Sequence, residues 1–181
     1  MSLIQTARVA LRELNFDDAE FILELLNEAG FIRYIGDKGV RDLAAARDYL
    51  SQGPMDSYAR NGFGLYAVCL REGRAHQVPD GTPIGICGLV KRQGLSDPDL
   101  GFAFLLRYGS KGYAVESAAA VLNHAREVLK LQRIVAITSP DNSQSIALLQ
   151  KTGFKFERKV CLVDHSPELK LFAHVSAASR A

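Results

Sequence analysis

From Leu100 to Leu106 the chain is almost wholly apolar, the pattern of a strand buried on both faces. Beyond a turn at Gly109-Ser110-Lys111-Gly112, apolar residues recur at helical spacing at Val115, Ala118, Ala119, Leu122, Ala125 and Leu129. That stripe predicts a helix with one face in a core. Leu131 to Thr138 is again β-rich, and Pro140-Asp141-Asn142 breaks the run. Asn142 is an N-cap residue for a second helix that carries Ser145 and closes on Gly153.

The flanks follow the same logic. Arg8 to Leu14 alternates as an opening strand with Val9 and Leu11 on one face. Asn15 caps a helix with Asp17 and Asp18 in its first turn and Phe16, Ala19, Ile22, Leu26 and Ala29 on its buried side, stopping at Gly30. Phe31 to Gly36 is apolar but short, which suggests a packed loop. Asp42 to Tyr58 reads as a second helix through Leu43, Ala46, Tyr49 and Leu50, interrupted by Gly53-Pro54. Strands are expected at Leu65–Leu70 and Ile84–Val90, joined by the polar stretch Arg71–Pro83, with a turn at Ser96-Asp97-Pro98. Lys155–Val163 and Leu169–Val175 close the chain around Asp164-His165-Ser166-Pro167, before a frayed tail at Ser176–Ala181. The order β, α, α, three strands, α, β, α, two strands describes an α+β domain with a mixed sheet and helices on both faces.

Composition narrows the classes. A chain of 181 residues is most economically one domain, 1–181, and buries roughly two thirds of its unfolded surface. A net charge of +2 is too mild for a nucleic-acid reader. Cys69, Cys87 and Cys161 stand singly in apolar segments and read as small core residues in a reducing compartment. His76, His124, His165 and His174 are scattered, read as solvated, and show no metal-binding spacing, so no metal is expected. The N-terminus lacks a signal-peptide core, and no apolar run could span a bilayer, so the expectation is a cytoplasmic protein without membrane partners. Gly62-Phe63-Gly64-Leu65-Tyr66-Ala67 spells a dinucleotide fingerprint, but β-type residues follow it where that fingerprint needs a helix. No nucleotide-binding Gly-x-x-x-x-Gly-Lys-[Ser/Thr] loop is present either.

A glycine-bearing turn that feeds a helix N-terminus can bind an anion, because unpaired N–H groups and the positive dipole end point outward together. An ordinary strand-to-helix connection explains the turn alone equally well. The second polar helix start at Asn142, beyond a neighbouring strand, tips the reading toward a phosphate site.

At DLGFAF followed by YGSKGYAVESA, and again at PDNSQSIALLQKTGF, the chain resembles the GNAT superfamily of acyl-CoA-dependent N-acetyltransferases, in particular its RimJ/RimL-type branch. ARVALRELNFDDAE and GTPIGICGLV are similar to that family's first strand and central hairpin. The resemblance implies a mixed, mostly antiparallel sheet of about seven strands flanked by about four helices. It implies acetyl-CoA as co-substrate and a primary amine, on a small molecule or a protein N-terminus, as acceptor. By the same resemblance, Ser110, Lys111, Gly112, Tyr113 and Ala114 hold a diphosphate on backbone N–H groups, with Gly109 where the family commonly has Gln or Arg. Phe104 offers a strand edge to the pantetheine arm, Asn142 pairs with that arm, and Ser145 lies near the sulfur. Leu149 occupies the place where many members carry a proton-donating tyrosine, so Ser145 or water becomes the acid. Asp99 is the first choice of base, with turn chemistry as its competing role, and Glu116 is second or orders the loop. Tyr34 is the substrate-side candidate, although it reads more readily as a buried loop aromatic.

Overall fold

The computed structural model describes residues 3–71, 79–163 and 166–175. The expected tail, His76, His165, Asp164 and most of the Arg71–Pro83 connection lie outside them. Eight strands form one sheet: β1 (Ile4–Gln5), β2 (Val9–Glu13), β3 (Leu65–Leu70), β4 (Pro83–Val90), β5 (Asp99–Phe104), β6 (Arg133–Thr138), β7 (Lys155–Val160) and β8 (Leu169–Val175), in the order β1-β2-β3-β4-β5-β6-β8-β7. Every described pairing is antiparallel except that of β5 with β6. Among the described residues the helices are α1 (Ala19–Leu26), α2 (Ala29–Tyr34), α3 (Leu43–Leu50), α4 (Asp56–Asn61), α5 (Tyr113–Glu127) and α6 (Ser143–Lys151). None is long and apolar enough to cross a membrane.

Burial explains the elements. β3 and β4 are apolar at almost every position because they lie centrally, and β4 stays buried from Ile84 to Leu89. α5 packs Ser117, Ala118, Val121, Leu122 and Ala125 inward and rests on β1, β2, β4 and β5, serving as the crossover between parallel β5 and β6. α1 presents Phe21, Ile22, Leu25 and Leu26 to the core. At its entry Asn15 Oδ1 accepts the Asp17 N–H at 2.8 Å, while buried Asp18 is gripped at both oxygens by Arg12, at 2.7 and 2.8 Å.

Several expectations change. Gly30 does not stop a helix: α1 ends at Leu26 with Asn27 as its C-cap, and α2, Ala29–Tyr34, takes in Gly30 and most of the expected loop Phe31 to Gly36. Phe16 is 47% exposed and Ala29 is exposed, so neither belongs to the buried side. Gly53-Pro54 does not interrupt the second helix but sits in a π-helical turn, Ser51–Met55, that carries α3 into α4. A widened turn drops the hydrogen bond proline cannot donate. The apolar run beyond Phe104 leaves the sheet, and Leu106 is 80% exposed in a 3-10 turn. Cys161 is exposed, unlike buried Cys69 and Cys87, and His174 is half-buried against Phe154. In the decoy fingerprint, Gly62 ends α4 in the left-handed conformation and β3 follows.

Gly88 in β4 is a point of backbone contact, where a Cβ would lie 2.0 Å from the Gly64 carbonyl oxygen and 2.9 Å from Leu65 Cα. Gly88→Ala should therefore destabilise the fold by about 2 kcal/mol or more, read as a lowered urea midpoint. An unchanged midpoint would show that the β3–β4 entry can open without cost.

Candidate acyl-transfer site

β5 is paired along its whole length on one side and almost nowhere on the other. Toward β4 the register runs unbroken from Val90↔Asp99 to Gly85↔Phe104. Toward β6 it consists of Asp99↔Val135 alone, supported by the Val135 N–H donating to the Pro98 carbonyl at 2.9 Å. Beyond that point the two strands part. The Leu105 N–H donates to the Ile84 carbonyl at 3.0 Å, so alternation turns the peptide groups of Phe102 and Phe104 away from β4, into the split. Burial follows the same line: Asp99 and Leu100 are buried, whereas Gly101, Phe102, Ala103 and Phe104 are only half-buried.

The expected phosphate loop lies at the open end of this split. Gly109, Ser110, Lys111 and Gly112 are all exposed. Among the described residues, no protein acceptor takes the backbone N–H of Ser110, Gly112, Ala114 or Val115. Gly112, the N-cap of α5, makes no side-chain cap and has φ +83°, a conformation that glycine adopts without steric cost. Gly109 has an ordinary φ of −64°, and Ser110 is the residue forced to φ +58°. The sharp bend therefore falls on a serine, a local strain of about 1 kcal/mol concentrated where the free amides converge. The Tyr113 side chain is buried, Ala114 is half-buried, and Lys111 Nζ lies 5.6 Å from the Tyr108 ring centre.

Across the split stands α6. Asn142 Oδ1 accepts the Ser145 N–H at 3.1 Å, so Asn142 is an N-cap in fact. Ser145 is half-buried, and its hydroxyl has no hydrogen-bond partner among the described residues. Leu149 is only 1% exposed and belongs to the core. The α1–α2 corner reaches both lips of the split. Glu28 Oε1 accepts the Leu106 N–H at 3.2 Å, Glu24 pairs with Arg107, and Arg33 pairs with Asp141 at 3.2 Å. Tyr34 ends α2 beside them, half-buried, with the Arg33 guanidinium 4.9 Å from its ring centre.

Asp99 sits where the strands join, 1% exposed. Its Oδ2 accepts Arg92 Nε at 2.8 Å, while Oδ1 has no hydrogen-bond partner among the described residues. Burial pushes its carboxyl up from 3.8 to about 6, and the Arg92 charge and hydrogen bond, with the nearby Ile137 N–H, oppose the rise without cancelling it. Glu116, by contrast, faces the β1–β2 turn. Its carboxylate accepts Thr6 Oγ1 at 2.6 Å, the Arg8 N–H at 3.0 Å and Arg8 Nε at 2.7 Å. Those partners hold it below the usual glutamate range despite burial. Arg8 and Arg92 were missed because an arginine in a strand or loop carries no local signal of what it will meet. Among the described residues no cluster of three His, Cys, Asp or Glu side chains could hold a metal ion. A cavity of about 320 Å³ near Arg12 and Cys69 lies apart from the residues above, and another of about 240 Å³, near Ser96 and Arg158, shares only Val135 with them.

The family model for the acetyltransferase (GNAT) domain matches residues 8–155. The chain belongs to the GNAT acetyltransferases. It is 27% identical over 154 residues to YnaD of Bacillus subtilis strain 168, an uncharacterised protein named as an N-acetyltransferase, covering 85% of this chain and 83% of YnaD. A GNAT-family acetyltransferase structure from Bacillus anthracis superposes with a TM-score of 0.76 at 24% identity, over 95% of this chain and 97% of that one. RimL, a ribosomal L7/L12 α-N-protein acetyltransferase solved with coenzyme A, gives 0.79 at 13% identity, over 97% and 98% of the two chains. Both structural matches establish the same fold. As a GNAT protein the chain is an acyltransferase.

The sign of the Asp99 shift makes a measurable prediction. A carboxyl whose folded pKa of about 6 exceeds its ordinary 3.8 favours folding when protonated, and that contribution is lost as pH rises from about 4 through 6. Two pKa units correspond to about 3 kcal/mol, reduced by whatever relaxation accompanies ionisation. Asp99→Asn should therefore gain on wild type in urea-unfolding free energy between pH 4 and pH 7 and level off above. A variant that instead loses ground with rising pH would mean that the Arg92 pair outweighs burial.

Proposed function

We propose that this GNAT protein transfers an acetyl group from acetyl-CoA to a primary amine, with a protein N-terminal α-amine as the favoured acceptor class. One observation carries the reading: the unbonded backbone N–H groups of Ser110, Gly112, Ala114 and Val115, at an exposed turn, open onto an unpaired β5 edge that leads down to buried Asp99. The residues present fit such a donor. Free N–H groups at a helix N-terminus suit a diphosphate, and the peptide groups of Phe102 and Phe104 suit the amides of a pantetheine arm. Acetyl-CoA would supply the acyl group and a thiol leaving group with a pKa of about 8.5.

The chain's own groups then divide the work. A Phe102 or Phe104 N–H polarises the carbonyl at the point where negative charge develops. Asn142 holds the start of α6 in place, and the Ser145 hydroxyl, free of other partners, gives a proton to the departing sulfur directly or through water. Asp99 accepts the proton of the attacking amine, through water if the two do not touch. Its raised pKa of about 6 lies about two units closer to an α-ammonium than an exposed aspartate would. An α-ammonium titrates near 8 and a lysine above 10, so the α-amine asks less of this base. Tyr34 and the α2 corner line the acceptor side. The resemblance to RimL supports a protein N-terminus without naming one. Buried Leu149 favours a second reading, a coenzyme-binding sensor of low activity, because no tyrosine acid stands there.

Purified protein with acetyl-CoA and a panel of free-N-terminus peptides, N-terminally blocked lysine peptides and small amines decides between them. Thiol release above background, largest with free α-amines, is expected. Coenzyme binding with no release on any amine would replace the enzyme reading by the sensor. Gly112→Val, which places a β-branched side chain at φ +83° with its Cβ 3.2 Å from Arg8 Nη2, should raise the Kd for coenzyme A by about tenfold or more. An unaltered Kd would remove the loop from the site.

A further inference from the structure

The loop of free amides is braced from the far end of the chain. Arg8, in the tight turn between β1 and β2, lays its guanidinium beneath the loop. Nη1 donates to the Lys111 carbonyl at 2.9 Å, while Nε and Nη2 reach Glu116 Oε2 at 2.7 and 2.6 Å. The same group lies 4.8 Å from the centre of the Tyr113 ring. Thr6 Oγ1 and the Arg8 N–H hold the other carboxylate oxygen of Glu116. One side chain thus spans the last loop residues and the first turn of α5.

The consequence follows from peptide geometry. In a planar trans peptide the carbonyl of one residue and the N–H of the next point in opposite directions. Drawing the Lys111 carbonyl inward onto Arg8 therefore turns the Gly112 N–H outward, toward the mouth of the split. Glu116 neutralises the guanidinium through two hydrogen bonds, so Arg8 acts here through orientation rather than through its charge. Because Gly109 occupies the place of the family's common Gln or Arg, no side chain at that position can supply a phosphate contact, and the backbone N–H groups carry more of the site.

We infer that Arg8, anchored by Glu116 and Thr6, is the positioning residue for a diphosphate-binding loop, setting the Lys111–Gly112 peptide so that its N–H meets the diphosphate of coenzyme A. This inference rests on the reading of the loop as the coenzyme site. It assigns the affinity for the diphosphate portion to a contact made more than a hundred residues away in sequence. Lysine in place of Arg8 keeps the charge and one partner but cannot bridge a carbonyl and a carboxylate with a planar fork.

The test is titration of 15N-labelled wild type and Arg8→Lys with coenzyme A and, separately, with pantetheine, which lacks the diphosphate. In wild type, coenzyme A should shift the amide resonances of Ser110, Lys111, Gly112 and Ala114. In Arg8→Lys the Kd for coenzyme A should rise by about tenfold, while weak pantetheine binding stays as in wild type. An unchanged coenzyme A Kd overturns the inference, as does an equal loss for pantetheine, which would mark a general structural role. If Arg8→Lys does not fold, Glu116→Gln, which weakens the anchor and leaves Arg8 in place, should give the same selective loss. Coenzyme A binding that depends on Arg8 with no acyl transfer to any amine would sink the proposed function and leave this inference standing. Wild type that shows no loop shifts with coenzyme A removes the inference itself.

Discussion

Two parallel strands that pair at one position and then part create the groove on which the rest of this structure depends. Where β5 and β6 meet, at Asp99 and Val135, both are buried; four residues further along β5 the backbone edge is open. Unpaired peptide groups are tolerable only where water or a ligand reaches them. The β4 side carries the load, since its unbroken ladder holds β5 rigid while the other edge is left free. The lips are tied by the α1–α2 corner, through Glu24 and Glu28 to the end of β5 and through Arg33 to Asp141 before α6. A rigid strand with one open edge places reacting groups more accurately than a loop would.

The two ends of that edge are electrostatically opposite. At the mouth, free amides, a helix dipole and a serine at φ +58° gather partial positive charge. At the base, a carboxylate is buried with only one of its oxygens hydrogen-bonded. Neither feature serves stability: the first stores backbone strain and the second keeps a desolvated charge. Unfavourable local choices that cluster in one groove mark a functional site better than any single residue does.

Contacts in the fold define structural roles that each residue read alone leaves open. Asn142 is a helix cap whose side chain accepts the Ser145 N–H, so it also fixes the backbone that carries the Ser145 hydroxyl. Glu116 resolves differently. Its carboxylate is taken up by Thr6 and Arg8, so it braces the loop rather than facing an acceptor. The α2 corner exposes Ile32 and Ile35, and Leu106 stands exposed in the turn after β5.

Local patterns in the sequence determined β5, α5, β6 and α6, the turn between the first two, and the caps at Asn15 and Asn142. Alternation, helical spacing and capping act over a few residues, so they are visible without the fold. The same short range misled at Gly30 and at Gly53-Pro54, where helix-breaking residues sit inside helical segments, and at Leu105 and Leu106, apolar residues that no longer belong to the strand. Only the tertiary structure decided that β6 veers from β5, that Arg92 meets Asp99, and that Arg8 reaches Lys111 and Glu116. Those contacts depend on which strands become neighbours in an eight-stranded sheet, a matter of global packing. A guanidinium binds any carboxylate or carbonyl within reach, so its partner is chosen by position alone, and position is what a linear chain does not display.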